Sequence, residues 1–183
     1  MVKDDQQKIF YDKGKNLFSA KEYQSAYNEF RKIDIQPLNF DDKALVYHYM
    51  AMCMSYLGKW IESLDLFERA KQYYPEFGLV HFNQGLTYFF FASAQKYPEK
   101  WYEMALKCFK QSLFQEASNP EAWYYRGLMH KLLGQEHQAK YSYENVFTLA
   151  PRFQNLQMCE VYEKMYIHKN LSSKKFSDNI NSK

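Results

Sequence analysis

Small, aromatic and proline positions recur at fixed intervals along the chain against a polar background. Counting from Pro120 as position 1, Trp123 falls at position 4, Gly127 at 8, Ala139 at 20, Tyr143 at 24 and Pro151 at 32. A count from Ala44 puts Tyr47, Ala51, Ser63, Phe67 and Pro75 in the same places, and a count from Gln7 puts Phe10, Gly14, Ala26, Phe30 and Leu38 there. Another copy begins at Gly78 with His81 and Gly85; its second half, Ala105 and Phe109, fits once eight extra residues around ASAQKYPEK are allowed. These marks predict two packed helices per unit. Small residues at positions 8 and 20 let two helix backbones approach, and the ring at 24 fills the space left between that pair and the next unit. Gly58 in LGKW and Gly134 in LGQE stand where a chain leaving a helix needs a left-handed residue. Asn119 before Pro120 reads as an N-cap followed by proline at the first helical position, while Pro75 and Pro151 mark the ends of second helices.

This spacing, about 34 residues, resembles the tetratricopeptide repeat, whose unit is a pair of antiparallel helices. The resemblance implies an all-α fold, a right-handed superhelical stack of helix hairpins forming an α-solenoid. Repeats are expected at about 7–40, 44–77, 78–119 with the insertion, and 120–153. After Pro151 the stretch FQNLQMCEVYEKMYIHKN continues as an amphipathic helix, expected over 154–170 as a cap on the exposed side of the last pair. One tetratricopeptide domain is expected over 1–171. The polar, aperiodic end at 172–183 is expected to stay unstructured. The insertion in the third repeat leaves open a longer helix pair or a recognition loop.

Composition narrows the function. A chain of 183 residues with 46% hydrophobic content is long enough to bury a continuous core. Its 24 basic and 21 acidic side chains nearly balance at +3, so no strong field draws phosphate backbones or anionic lipid, and nucleic acid is not an expected partner. The N-terminus MVKDDQQKIF carries no secretory pattern, and no stretch approaches the ~20 apolar residues of a membrane span, so no membrane partner and a cytoplasmic location are expected. Cys53, Cys108 and Cys159 are odd in number and far apart, which suits reduced, buried thiols.

Chemistry is nearly absent from the pattern. His48, His81, His130, His137 and His168 show neither zinc-protease pairing nor finger spacing with cysteine, and no phosphate loop or nucleophile elbow occurs. No catalytic residue, metal or cofactor is expected, and the chain is read as a non-enzyme.

Binding remains, and the resemblance implies where. In tetratricopeptide proteins the stacked first helices line a concave face through positions 2, 5, 9, 12 and 13. Those slots hold Lys8, Tyr11, Lys15, Phe18 and Ser19 in the first repeat, and Leu45, His48, Met52, Ser55 and Tyr56 in the second. They hold Leu79, Phe82, Leu86, Phe89 and Phe90 in the third, and Glu121, Tyr124, Leu128, Lys131 and Leu132 in the fourth. Most are apolar or aromatic, which gives the 17 tyrosines and 15 phenylalanines an expected address. For Phe89 and Phe90, packing against a lengthened helix or the inserted loop is an equal alternative.

One subset of the family clamps the terminal carboxylate of heat-shock chaperones with lysines, asparagines and an arginine. This chain departs from it, with Tyr11, Lys15, Tyr49, Glu121 and Tyr125 in clamp slots and Asn83 as the matching residue type. The apolar face is more similar to that of small tetratricopeptide chaperones of bacterial secretion systems. The expected function is a non-catalytic adaptor or chaperone that binds an apolar peptide or helix of a partner protein in the concave groove. Tyr11, Lys15, Phe18, His48, Met52, Tyr56, Phe82, Asn83, Leu86, Phe89, Tyr124 and Leu128 are its candidate residues, and Phe82, Leu86, Tyr124 and Leu128 its expected centre. The alternative is a constitutive structural subunit of a larger assembly, or self-association into a homo-oligomer.

Overall fold

The computed structural model describes residues 5–151; the expected cap over 154–170, the tail from 172, Cys159 and His168 lie outside the described residues. Eight α-helices follow one another: α1 (Asp5–Ser19), α2 (Tyr23–Phe30), α3 (Phe40–Tyr56), α4 (Trp60–Tyr73), α5 (Gly78–Ser93), α6 (Glu99–Gln115), α7 (Pro120–Leu132) and α8 (Glu136–Leu149). Each helix packs on the next, and α3 also touches α1 and α5, so the odd-numbered helices form one layer and the even-numbered helices the other. A cleft of about 780 Å³ separates α2 from α4 on the even side, lined by Tyr27, Ile33, Ile61 and Arg69 among others. Contact on one side and a cleft on the other make the odd layer the inside of the curve.

The repeat marks have direct structural counterparts. A methyl group added at Gly14 would come within 2.8 Å of the Phe30 ring, one at Gly85 within 2.7 Å of Phe109, and one at Gly127 within 2.7 Å of Tyr143. Position 8 is therefore small because the ring at position 24 of the same repeat lies against that helix backbone. At position 20, Ser63 replaces alanine and donates its hydroxyl to the Ala51 carbonyl at 2.8 Å, satisfying itself in a site with no access to water.

The ring at position 24 organises the core. It meets the side chain at position 5 of its own repeat in all four units: Phe30 with Tyr11 at 6.0 Å, Phe67 with His48 at 5.9 Å, Phe109 with Phe82 at 5.8 Å and Tyr143 with Tyr124 at 6.1 Å between centroids. It also stacks on position 6 of the following repeat at two seams, Phe30 on Tyr49 at 5.3 Å and Phe109 on Tyr125 at 5.5 Å. Much of the aromatic surplus is spent here, in welding one hairpin to the next.

Turns follow the expected chemistry. Gly58 and Gly134 have φ of 73° and 71°, each at the end of a first helix. The first repeat makes the same turn with Lys21 at φ 63°, a left-handed conformation that a side chain disfavours. Asn119 caps α7 by accepting from the backbone N–H of Glu121 and Ala122, with Pro120 as the first helical residue. Asn39 caps α3 in the same manner through Asp42 N–H.

Two departures from an even repeat stand out. The insertion lengthens the hairpin mainly where its two helices meet: α5 runs to Ser93, position 16 of its repeat, where α3 ends at Tyr56 and α7 at Leu132, both position 13, and α6 has 17 residues against 14 in α4 and α8. Its extra turns are pinned by Trp101, 4.7 Å from Phe91 and 6.2 Å from Tyr88, and by Trp60 at 5.7 Å from Phe91. Phe89 lies 5.3 Å from Phe90 and 6.0 Å from Tyr125, so it packs partly against the next repeat. In the first repeat α2 is only 8 residues long, and the chain from 31 to 39 continues without helix. Leu38 therefore fills the proline slot as a packed loop residue rather than a helix end. Ile33 is buried in that segment, and Asp34 N–H donates to Gln7 of α1 at 2.7 Å.

Candidate functional site: a pocket on the inner layer

The inner layer opens into a pocket of about 390 Å³ shared by three helices. Lys15, Phe18 and Ser19 line it from α1, His48, Tyr49 and Met52 from α3, and Leu79 and Asn83 from α5. The repeat register sets one of its wall residues apart. At the first and third seams a tyrosine at position 6 stacks on the preceding ring, whereas at the second seam that position holds Asn83. Asn83 is too short to stack on Phe67 as Tyr49 stacks on Phe30; it lines the pocket, while Phe67 is fully buried behind it and is not part of the wall.

Its wall chemistry is mixed but mainly apolar. Phe18 sits 5.8 Å from Tyr49 and 5.7 Å from Tyr56, and Tyr56 is stacked on Tyr23 at 4.5 Å, giving a rigid aromatic rim. Lys15 supplies a cation, its ammonium 5.6 Å from the Tyr11 ring centroid. His48 is only 2% exposed, surrounded by Phe67, Phe77 and Tyr49, and its Nδ1 has no hydrogen-bond partner. Burial pushes its pKa down to about 4, so the imidazole is neutral at pH 7.

The candidate residues divide sharply by slot. Position 5 is core in every repeat: Tyr11, His48, Phe82 and Tyr124 are all buried, as is Leu128 at position 9 of the last repeat. This corrects the expected centre of the groove. Phe82, Tyr124 and Leu128 belong to one hydrophobic cluster with Phe109, Tyr125 and Tyr143, so they are already covered by the protein's own chain and offer no surface to a partner. Leu86 and Phe89 are half-buried against the same cluster. Burial at the Tyr11 hydroxyl raises its pKa, as expected for a packed phenol rather than a binding group.

Exposure lies elsewhere on the inner layer. Tyr56 is 58% and Leu79 47% exposed, at positions 13 and 2, while Phe18, Met52 and Asn83 are half-buried and reachable. The structure thus brings Lys15, Phe18, His48, Met52 and Asn83 together around one pocket, with Tyr56 stacked at its rim, and leaves Phe82, Leu86, Phe89, Tyr124 and Leu128 in a separate, C-terminal cluster. Tyr49 is a pocket residue that the sequence reading misses. Its signal is position 6, adjacent to the concave slots, which the sequence presents only as a clamp position.

The remaining chemistry-bearing side chains are structural. Cys53 and Cys108 are free and buried, with burial raising both thiol pKa values to about 12. His81 hydrogen-bonds the Pro75 carbonyl at 2.7 Å, fastening α5 to the end of α4. Among the described residues, no group of three or more His, Cys, Asp or Glu side chains is arranged to hold a metal, and no helix is long and apolar enough to cross a membrane.

A two-layer stack of antiparallel hairpins with ring-on-glycine seams defines a tetratricopeptide-type α-solenoid, and comparison with solved structures agrees. MamA from Desulfovibrio magneticus RS-1, residues 41 to the end, superposes with a TM-score of 0.69 over 100% of both chains at 11% sequence identity. TTC0263, a tetratricopeptide protein of Thermus thermophilus, gives 0.66 over 79% of this chain and 75% of that one at 17% identity. The first tetratricopeptide domain of Spaghetti (RPAP3), solved with the HSP90 peptide SRMEEVD, gives 0.56 over 73% of this chain and 96% of that one at 23% identity. At such identities the likeness is one of fold. No family model and no curated protein matches the sequence.

Proposed function

We propose that this protein is a non-catalytic interaction module that holds a short apolar segment of a partner protein in the inner-layer pocket between α1, α3 and α5. The observation that carries this is the mainly apolar pocket of about 390 Å³, where Asn83 stands at the position that holds a stacking ring at both neighbouring seams and the Leu79 side chain is exposed. Apolar walls drive burial of the ligand's side chains, at roughly 25 cal/mol per Å² before ordering costs. Asn83 and Lys15 provide polar groups for the ligand's backbone carbonyls. Of the similar structures, the RPAP3 domain holds a peptide, which fits a peptide-binding role for this fold.

The test is a peptide-display selection on the wild-type protein, followed by affinity measurement of the winners on three variants. Leu79→Glu and Met52→Glu put a charge at the wall and are expected to weaken binding about tenfold or more. Asn83→Tyr is expected to abolish binding by filling the pocket. Selected peptides that bind all three variants as well as the wild type would overturn the proposal.

The second reading, constitutive assembly, draws on apolar residues exposed away from the pocket: Phe40 at 67%, Ile61 at 64% and Phe114 at 81%. Sedimentation equilibrium separates the two. A stable oligomer disrupted by Phe114→Ser and indifferent to Leu79→Glu favours assembly through the outer layer.

A further inference from the structure

The outer layer holds an opening of its own, the cleft of about 780 Å³ between α2 and α4. Its cause is the early end of α2, which has 8 residues against 14 in α4. Past Arg31 the chain is drawn toward α1, where Asp34 N–H donates to Gln7, so the last turns of α4 have no preceding second helix beside them. α4 turns a row of side chains into the gap, Ile61, Asp65 and Arg69 at four-residue intervals with Glu62 and Leu66 next to them. Met50 of α3 and Ile35 of the loop after α2 add further apolar wall.

The ionic residues of the cleft balance, with Arg31 and Arg69 against Glu62 and Asp65. Arg69 and Asp65 pair with each other at 3.0 Å. Arg31 lies over the Tyr27 ring, its guanidinium carbon 5.7 Å from the centroid, and among the described residues neither it nor Glu62 forms an ion pair. The two stand at opposite corners: Arg31 follows the last residue of α2, Glu62 lies in the first turn of α4, and in a stack of antiparallel hairpins these helices run the same way. Beside Glu62, Ile61 is exposed. A balanced cleft favours neither an acidic nor a basic partner. One free cation and one free anion at opposite corners instead make a surface that complements itself. A two-fold axis along the other diagonal exchanges the corners and brings Arg31 of each copy to Glu62 of the other.

We propose that the α2–α4 cleft is a two-fold contact between two copies of this chain, with Arg31 and Glu62 paired across the axis in both directions. Ile61, next to Glu62, then enters the other copy's cleft beside its Arg31, where Ile35 lines the wall. Burial of these apolar side chains drives the contact, and the paired corners set its orientation. This inference rests on the assembly reading and fixes the surface that reading uses. The inner-layer pocket lies on the opposite layer and stays open in the dimer.

The experiment is sedimentation equilibrium of the full chain at concentrations up to about 1 mM. The wild type is expected to show a monomer–dimer equilibrium. Arg31→Glu and Glu62→Arg, both at exposed positions, set like charges against each other twice per dimer and are each expected to weaken dimerisation at least about tenfold. The equimolar mixture of these two variants is the decisive sample. In a mixed dimer every acid again meets a base, so association is expected to return to within about threefold of the wild type. A wild type that stays monomeric would overturn this contact and the assembly reading together. A dimer indifferent to the single charge reversals, or a mixture that associates no better than its components, would overturn this contact alone and leave assembly through another surface standing.

Discussion

Replacing Gly85 with alanine tests the contact on which the repeat rests. The added methyl would lie 2.7 Å from Phe109 Cε1, 2.9 Å from Cζ and 3.0 Å from Cδ1. Phe109 is fully buried and confined by Phe82 and Tyr125, so its ring has no free direction in which to withdraw. Overpacking of this kind costs about 1–3 kcal/mol, partly offset by the ~1 kcal/mol that alanine gains over glycine inside a helix. Gly85→Ala is therefore expected to destabilise the fold by roughly 0–2 kcal/mol. Phe109→Leu removes the Cε and Cζ atoms responsible for the two closest approaches and leaves a partly filled cavity, at about 1–3 kcal/mol. In the double variant the methyl occupies space that leucine vacates. The two changes should then fall short of additivity by about 1 kcal/mol or more. Urea denaturation followed by far-UV circular dichroism, with the slope unchanged across the four proteins, gives the cycle. Additivity within about 0.5 kcal/mol would refute the claim that glycine at position 8 exists to admit the ring at position 24.

Other seams and turns yield further expectations. Lys21→Gly relieves a left-handed lysine and is expected to stabilise by about 0.5–1 kcal/mol in the same denaturation assay, since strain relief exceeds the added unfolded-state entropy. Glu29 accepts from Lys13 and Lys32, both at 2.9 Å, and these bonds lower its pKa. Its folded pKa lies below the unfolded one, so its contribution is present above the unfolded value and lost as pH falls through the folded value; Glu29→Gln should remove that acid loss from a melting-temperature profile. His48 has a folded pKa near 4 against an ordinary 6.5, so in that interval the unfolded chain binds the proton that the folded one excludes. Stability is full above pH 6.5 and falls by roughly 3 kcal/mol on reaching pH 4, a loss that His48→Gln should lack when the two proteins are compared by pH-dependent denaturation.

How much of the molecule is legible in its sequence depends on whether a residue's role is local. The turns at Gly58 and Gly134 and the Asn119–Pro120 helix start are readable because backbone conformation and capping are decided by a few adjacent residues. Pairing of position 8 with position 24 is readable because one hairpin fixes it. The groove is less so, since the slots give the direction of a side chain but not how closely successive first helices sit. Phe82 and Tyr124 do point inward, yet each reaches the ring at position 24 of its own repeat and is consumed there. Bulk at position 5 in all four repeats is a core signal, whereas a functional surface would vary. The shortness of α2 is similarly hidden, because Leu38 fits the register although Pro37 and Asp34 favour a loop.

Asn83 becomes informative only when each repeat serves as the control for the others, since it stands where Tyr49 and Tyr125 each stack on the preceding ring. The pocket it lines draws side chains from α1, α3 and α5 and none from α6, α7 or α8. In a solenoid each hairpin is held mainly by its neighbours, so a substitution in the last hairpin should reach the pocket only weakly. Gly127→Ala, whose methyl would lie 2.7 Å from the Tyr143 ring, should lower stability yet leave the affinity of a display-selected apolar peptide unchanged. A loss of more than about threefold in isothermal titration calorimetry would mean instead that the lengthened α5–α6 hairpin couples the last repeat to the pocket.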